Sequence, residues 1–155
     1  MMWAMGRGRL GASGEGGQGG NGVETYASTT TGTLTIVAGT FSHGQGHATT
    51  YAQMVAEWLG VPFENIRFVQ GDTDKVPFGR GSFAARASML GGCALMKASE
   101  SMIGTAKRMA AHLMETAEAD IEFTNGQFTV AGTDKAMSFT NVARAFYRPG
   151  GIPKG

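Results

Sequence analysis

The pattern of apolar residues in this 155-residue chain predicts an α+β fold. The expected architecture is a small mixed sheet with a β-hairpin, one long helix and two shorter helices packed on it. Three observations lead there. Two apolar, partly β-branched runs, 33–38 and 66–70, read as strands on either side of a helical pattern at 51–59. A continuous helical pattern over 86–115 supplies the long helix. Asn125-Gly126, between 120–124 and 127–131, marks a hairpin, because Asn-Gly tolerates the positive φ angles of a type I′ turn.

Taken in order, the chain opens with a glycine-rich stretch. Nine of its 25 glycines lie between Gly6 and Gly22, among few large apolar side chains. Such a segment buries too little surface to offset about 1–2 kcal/mol of backbone entropy per residue. Residues 1–24 are therefore expected to be disordered, or ordered only by a neighbour. The body of the domain is expected over 25–147, with 148–155 a loose tail. A strand over 23–27 would form a hairpin with the next one through a turn at 29–32. In 33–38, Leu34 and Ile36 fall on one face and Thr33 and Thr35 on the other.

Tyr51, Met54, Val55, Trp58 and Leu59 recur at helical spacing, with Thr49 or Thr50 as the expected N-cap. Gly60 and Pro62 end that helix. Ile66 and Phe68 share a face of the second strand, which closes in the turn residues Gly71-Asp72-Thr73-Asp74. A second glycine-containing loop covers 76–83, with Arg80 and Arg86 in it or beside it. Along the long helix, Leu95, Met102, Ala106, Met109 and Leu113 form the apolar stripe, and a break is expected at Gly91-Gly92. Residues 138–147 read as a short amphipathic helix capped by Ser138 and carrying Phe139, Val142 and Phe146.

Composition excludes some functions. A formal net charge of +1 gives no electrostatic reason for a nucleic-acid partner. No apolar run approaches the ~20 residues of a membrane span, and residues 1–10 lack the apolar core of a signal peptide. One cysteine, Cys93, cannot form an internal disulfide, which is compatible with a reducing cytoplasm. Its small apolar neighbours suggest an inert, packed thiol.

The chemistry concentrates in Ser42-His43-Gly44-Gln45-Gly46-His47-Ala48-Thr49-Thr50, between the strand at 33–38 and the helix at 51–59. A glycine turn at a helix N-terminus exposes backbone N–H groups and lets an anion approach the main chain. The strand–loop–helix–strand order, with Asp72 beyond the second strand, has features of a dinucleotide fingerprint. Against a nicotinamide site stand Thr49 at the third glycine position and the long loop; a plain turn without ligand is the other reading. The glycines between His43 and His47 argue against a helical metal face, and these histidines are expected to be exposed or hydrogen-bonded. Asp72 and Asp74 could pair as carboxylates, or simply form a turn. No Walker-type loop or nucleophile elbow is present.

Several segments, in order, resemble molybdenum hydroxylase large subunits, the family of xanthine dehydrogenase, aldehyde oxidases and aerobic carbon monoxide dehydrogenase. The first is residues 42–62, SHGQGHATTYAQMVAEWLGVP. The run Arg67-Phe68-Val69-Gln70-Gly71-Asp72-Thr73-Asp74 with Val76-Pro77-Phe78-Gly79 leans toward the carbon-monoxide-dehydrogenase-like branch. Ala119-Asp120-Ile121-Glu122-Phe123, Phe128-Thr129-Val130 and Ser138-Phe139 also fit that branch.

The resemblance implies that Gly44, Gln45, Gly46 and His47 cradle the pyranopterin dinucleotide of the molybdenum cofactor, as molybdopterin cytosine dinucleotide. Thr49 or Thr50 would lie near a phosphate. The second loop, Gly81-Ser82-Phe83-Ala84-Ala85-Arg86-Ala87, would form the opposing wall with Ser82, Ala84, Ala85 and Arg86. It keeps the family's serine and arginine, while alanines at 85 and 87 replace hydroxyls, each a loss of about 1 kcal/mol. The family's catalytic glutamate lies downstream of the matched region and its substrate-side loop upstream, so no catalytic residue is assigned here. Implied partners are the remainder of the molybdenum-binding subunit and iron–sulfur and FAD subunits, in the cytoplasm. The implied parent reaction is oxidation of a small substrate with water as oxygen source. A non-catalytic fragment or assembly module is the alternative.

Overall fold

The structure, a computed structural model, describes the backbone of residues 9–16 and 21–28 and, in full, residues 33–76, 79 and 81–145. Its first sheet has the order β1 (Arg9–Gly16), β2 (Asn21–Ser28), β3 (Leu34–Ala38), β4 (Ile66–Val69). β1 and β2 pair antiparallel, as do β2 and β3, in the register Val23↔Ala38 to Ala27↔Leu34. β3 and β4 are parallel, with Leu34 opposite Ile66 and Val37 opposite Val69. Parallel neighbours need a crossover, and α1 (His47–Leu59) supplies it. The mixed sheet is thus built around one βαβ unit, as expected.

In the glycine-rich start, of the two forms expected, disorder or order imposed by a neighbour, the described residues take the second. Residues 9–16 and 21–24 form strand rather than a disordered lead, paired through β2 to β3. Backbone pairing to a neighbour needs no large side chain, so composition did not reveal it. The rest of that segment, residues 1–8 and 17–20, lies outside the described residues, as do the turn expected at 29–32, Phe146 and the tail.

α1 starts at His47, earlier than the apolar spacing indicated. The N-cap is Gly46 at φ 77°, and Thr50 N–H donates to Gly46 O at 3.0 Å. Thr49 and Thr50 are therefore not caps; they stand in the first turn, and both are exposed. A left-handed cap needs glycine and no side-chain oxygen, so the hydroxyls at 49 and 50 do not mark the boundary. At the other end Gly60, φ 62°, closes the helix by donating to Ala56 O at 2.9 Å. Tyr51, Val55 and Leu59 are almost fully buried, each contributing about 1.5–3 kcal/mol.

A π-helical turn, Ala87–Gly91, leads into the 23-residue α2 (Gly92–Met114), so the break falls at Gly91-Gly92 as expected. α2 lies against β1, β2 and α1. Leu95, Met102, Ala106 and Met109 are buried in one cluster with Leu34, Ile36, Val55 and Leu59, and Leu113 packs at its edge.

The second sheet has the order β5 (Ile121–Thr124), β6 (Gln127–Val130), β7 (Ala136–Ser138). Asn125 at φ 50° and Gly126 at φ 74° make the expected hairpin turn, with Thr124 opposite Gln127. β7 was not foreseen. α3 (Phe139–Ala145) follows it, and Ser138 Oγ accepts from Asn141 N–H at 3.3 Å, as a cap should. Phe123, Phe128 and Phe139 pack together, with ring centroids 4.6–6.4 Å apart. Gly126 meets Gly60 backbone to backbone, so a Cβ on Gly126 would lie 2.6 Å from Gly60 Cα. That contact joins the hairpin to the end of α1.

Candidate functional site

The loop of residues 39–46 leaves the carboxyl end of β3 and turns into α1. Gly44 has φ 110° and Gly46 φ 77°, and a Cβ on either would meet nothing within 4 Å. The glycines thus present bare backbone on an open side. The amides of His47, Ala48 and Thr49 have no intrahelical acceptor, and among the described residues no side chain caps them. With the positive end of the helix dipole behind them, they suit an anion such as a phosphate.

Side chains within the loop hold its shape. Gln45 folds back on its own turn: its Oε1 accepts from His43 N–H in a short hydrogen bond and its Nε2 donates to Phe41 O at 3.4 Å. Ser42 N–H donates to Gln70 Oε1, just beyond β4, at 2.9 Å. His47 is only 7% exposed and stacks on Tyr51, centroids 5.6 Å apart and planes within 4°. Its Nδ1 is buried with no hydrogen-bond partner among the described residues. The expectation of an exposed or hydrogen-bonded histidine therefore fails for His47, though it holds for the exposure of His43. Burial, and then the nearby His43, hold the His47 imidazole below its ordinary pKa, which favours the neutral ring. A buried polar atom left unpaired costs about 1–3 kcal/mol, and a ligand hydrogen bond at Nδ1 would recover it.

The second loop is fastened to the first. Gly81 N–H donates to Gly39 O at 3.3 Å, and Ser82 Oγ accepts from Phe41 N–H at 3.1 Å. A Cβ on Gly79 would sit 2.8 Å from Gly39 Cα, so only glycine permits that approach. Ser82 thus reaches the first loop at Phe41, not at Gln45. Ala84 takes φ 49°, a left-handed conformation costing alanine about 1 kcal/mol. Ala85 is exposed, whereas Ala87 is buried. Arg86 is buried too, its guanidinium 4.5 Å from the centre of the Phe83 ring.

Tyr51 ties the pieces together. Its hydroxyl donates to Ala87 O at 2.6 Å and lies 3.4 Å from Thr40 Oγ1. Thr40, Gln70 and the Tyr51 hydroxyl were not singled out from sequence. Their partners are 11 to 36 residues away, and only the close Gly39–Gly79 packing had a compositional trace. Beside the loops, a cleft of about 380 Å³ opens beyond the carboxyl ends of β3 and β4, lined in part by Thr40, Phe41, Asp72 and Thr73. Crevices at such strand ends are where α/β sheets hold ligands.

Other candidates resolve differently. Asp72 accepts from Asp74 N–H at 3.1 Å and from Lys75 Nζ at 2.6 Å, and the Lys75 bond holds its carboxyl below the usual range. It closes a turn rather than pairing with a second carboxylate. Among the described residues, no three His, Cys, Asp or Glu side chains cluster to hold a metal, and no helix is long and apolar enough to cross a membrane. Cys93 is exposed, not packed: buried Gly92 and Ala94 flank it in sequence while its own side chain points outward.

A βαβ unit with a glycine loop at its strand end, open amides at a helix start and a second loop clasped to the first is an arrangement that suits a phosphate-bearing group. Comparison with known proteins specifies the class: the chain belongs to the molybdopterin cofactor-binding domain family, matched over residues 5–153. It is 36% identical over 121 residues to the carbon monoxide dehydrogenase large chain of Hydrogenophaga pseudoflava, covering 77% of this chain and 15% of the relative. Against the 6-hydroxypseudooxynicotine dehydrogenase complex subunit gamma of Paenarthrobacter nicotinovorans, identity is 40% over 114 residues, covering 74% and 14%. A solved structure of Cu,Mo-CO dehydrogenase in its carbon monoxide reduced state superposes with a TM-score of 0.78 at 31% identity. It covers 88% of this chain and 18% of that one. The chain therefore spans only a small part of the length of the proteins it matches.

Proposed function

We propose that residues 39–47 and 81–86 hold the pyranopterin dinucleotide of the molybdenum cofactor, in the cytosine dinucleotide form, within a molybdenum hydroxylase large subunit. The observation that carries this reading is the open start of α1. There Gly44 and Gly46 bare the backbone, and among the described residues the first amides of α1 are uncapped and His47 Nδ1 is buried without a partner.

In this reading the amides of His47, Ala48 and Thr49 take a phosphate, with the Thr49 and Thr50 hydroxyls beside it. Gln45 keeps the turn in shape through His43 and Phe41. Ser82 and Arg86 form the facing wall, with the Ala84 and Ala85 backbone between them. Of the two positions that lack a hydroxyl, only Ala85 is exposed, so the departure removes about one ligand hydrogen bond, on the order of 1 kcal/mol. The bound cofactor supplies a redox-active molybdenum at which a small substrate is oxidised with oxygen from water. This chain contributes binding and orientation, and the catalytic residues belong elsewhere in the subunit.

The relatives' names, a large chain and a complex subunit, support assembly with further subunits. We take these to be the remainder of the molybdenum-binding subunit and iron–sulfur and FAD subunits. A cytoplasmic setting agrees with the free thiol of Cys93. A non-catalytic assembly module is the second reading, favoured by the alanines at 85 and 87. Molybdenum and pterin analysis of the purified complex, wild type against Gln45→Ala, separates the two. Loss of both in the variant is expected; unchanged content would remove the loop's assigned role.

A further inference from the structure

The outward face of the long helix changes character along its length. Ser88, Met89, Cys93, Met96, Lys97, Glu100 and Arg108 are all exposed, and from position 93 onward they recur at helical spacing. Beyond position 96 this face carries Lys97, Glu100, Lys107 and Arg108, as a solvated helix surface does. Before it the face is uncharged: Met89 is 66% exposed, Met96 is 42% exposed, and Cys93 lies between them. Phe83, 62% exposed and stacked by Arg86, extends the same apolar character into the second loop of the candidate site. Solvent alone would place no methionine pair here and leave the charged half so different. Exposed apolar side chains gathered on one end of a helix in this way mark a contact surface.

We propose that the face formed by Phe83, Met89, Cys93 and Met96 is where the remainder of a molybdenum-binding large subunit docks on this segment. Two observations commit the patch to that occupant. It follows directly in sequence on the second loop of the candidate site, where exposed Phe83 packs against Arg86. And in the matched proteins the corresponding segment is 14–18% of a much longer chain, whose other parts must pack against it. Methionine suits such a surface because its flexible, polarizable side chain adapts to the partner. The proposal rests on the cofactor-binding reading for the identity of the partner, but not for the existence of the contact.

The test pairs the 155-residue chain with the Hydrogenophaga pseudoflava carbon monoxide dehydrogenase large chain from which the matching segment has been removed. Two readouts are taken: affinity of capture and the alkylation rate of Cys93. The wild-type chain is expected to dock and its Cys93 to react about tenfold or more slowly in the complex. The double variant Met89→Glu/Met96→Glu should dock about thirtyfold or more weakly. Lys107→Glu/Arg108→Glu, on the charged half of the face, should dock as wild type does. Met89, Met96 and Arg108 are exposed and Lys107 is half-buried, and circular dichroism melting checks that both variants fold; the Cys93 readout needs no variant. Failure of the wild type to dock, equal docking of the methionine variant, or unchanged Cys93 reactivity overturns the proposal. So does self-association of the chain that the methionine variant abolishes, which would assign the face to a second copy. Gln45→Ala should dock normally, so loss of cofactor without loss of docking distinguishes failure of the site from failure of the surface.

Discussion

Gly91→Ala tests the joint on which the candidate site hangs. The Cβ would collide with the Tyr51 hydroxyl, approach Tyr51 Cζ at 3.2 Å and lie 3.6 Å from Thr40 Cγ2. Tyr51 cannot simply swing aside. It is 1% exposed and its hydroxyl is bonded to Ala87 O at 2.6 Å. Overpacking of this kind costs about 1–3 kcal/mol, and breaking the hydrogen bond adds about 1 kcal/mol. Alanine returns about 1 kcal/mol of helix propensity at a position where glycine already has φ −65°. The net is a destabilisation of about 2 kcal/mol, or a melting temperature lower by roughly 4–8 °C for a chain of this size. Urea denaturation and thermal melting read it directly. Removing the hydroxyl removes the worst contact, so in a Tyr51→Phe background the same substitution should cost about 1 kcal/mol less. A variant as stable as wild type, or one equally destabilised in both backgrounds, would refute the reasoning.

Two further outcomes follow from the same geometry. Gly126→Ala places a Cβ 2.6 Å from the backbone of Gly60 at a φ of 74°, where neither side can yield easily. Chemical denaturation should show a loss of at least about 2 kcal/mol, and an unchanged midpoint would contradict the packing. His47 titrates below its ordinary value because burial, and then His43, disfavour the charged ring. The unfolded chain therefore binds more protons, and stability rises with pH through this window. The contribution is complete above about pH 6.5 and is lost as pH falls from there through the lowered folded value. His47→Gln should flatten that part of the stability–pH curve, and a curve of unchanged slope would remove His47 from the account.

The elements with strong local signals were legible. Gly60 and Asn125-Gly126 fixed a helix end and a hairpin register because positive φ is needed there and few residues supply it. β1 was not legible, since its pairing rests on backbone hydrogen bonds made to β2 in a stretch with almost no apolar periodicity. β7, three residues long, is too short to show a period. The start of α1 escaped because a left-handed glycine, not a hydroxyl, caps it. At the site, the glycine loop and its neighbouring serine and arginine could be named from sequence. Their connections could not: Ser42 to Gln70 and Phe41 to Ser82 join residues 28 and 41 positions apart. Cys93 was misjudged because sequence neighbours on a helix face different ways, and its own direction is outward.

The central claim, that the turn into α1 holds the cofactor dinucleotide, is tested most directly at Gly46. A Cβ there meets nothing within 4 Å among the described residues beyond its chain neighbours, so Gly46→Ala should cost the fold only about 1–2 kcal/mol of left-handed strain. The methyl group would project into the space we assign to the cofactor. The measurement is molybdenum and acid-released cytidine nucleotide in the assembled complex containing this chain, wild type against Gly46→Ala. The account predicts molybdenum and nucleotide in equal amounts in the wild type and a loss of both by about tenfold or more in the folded variant. Equal content in the two complexes, or a wild type that assembles with neither molybdenum nor cytidine nucleotide, would contradict it.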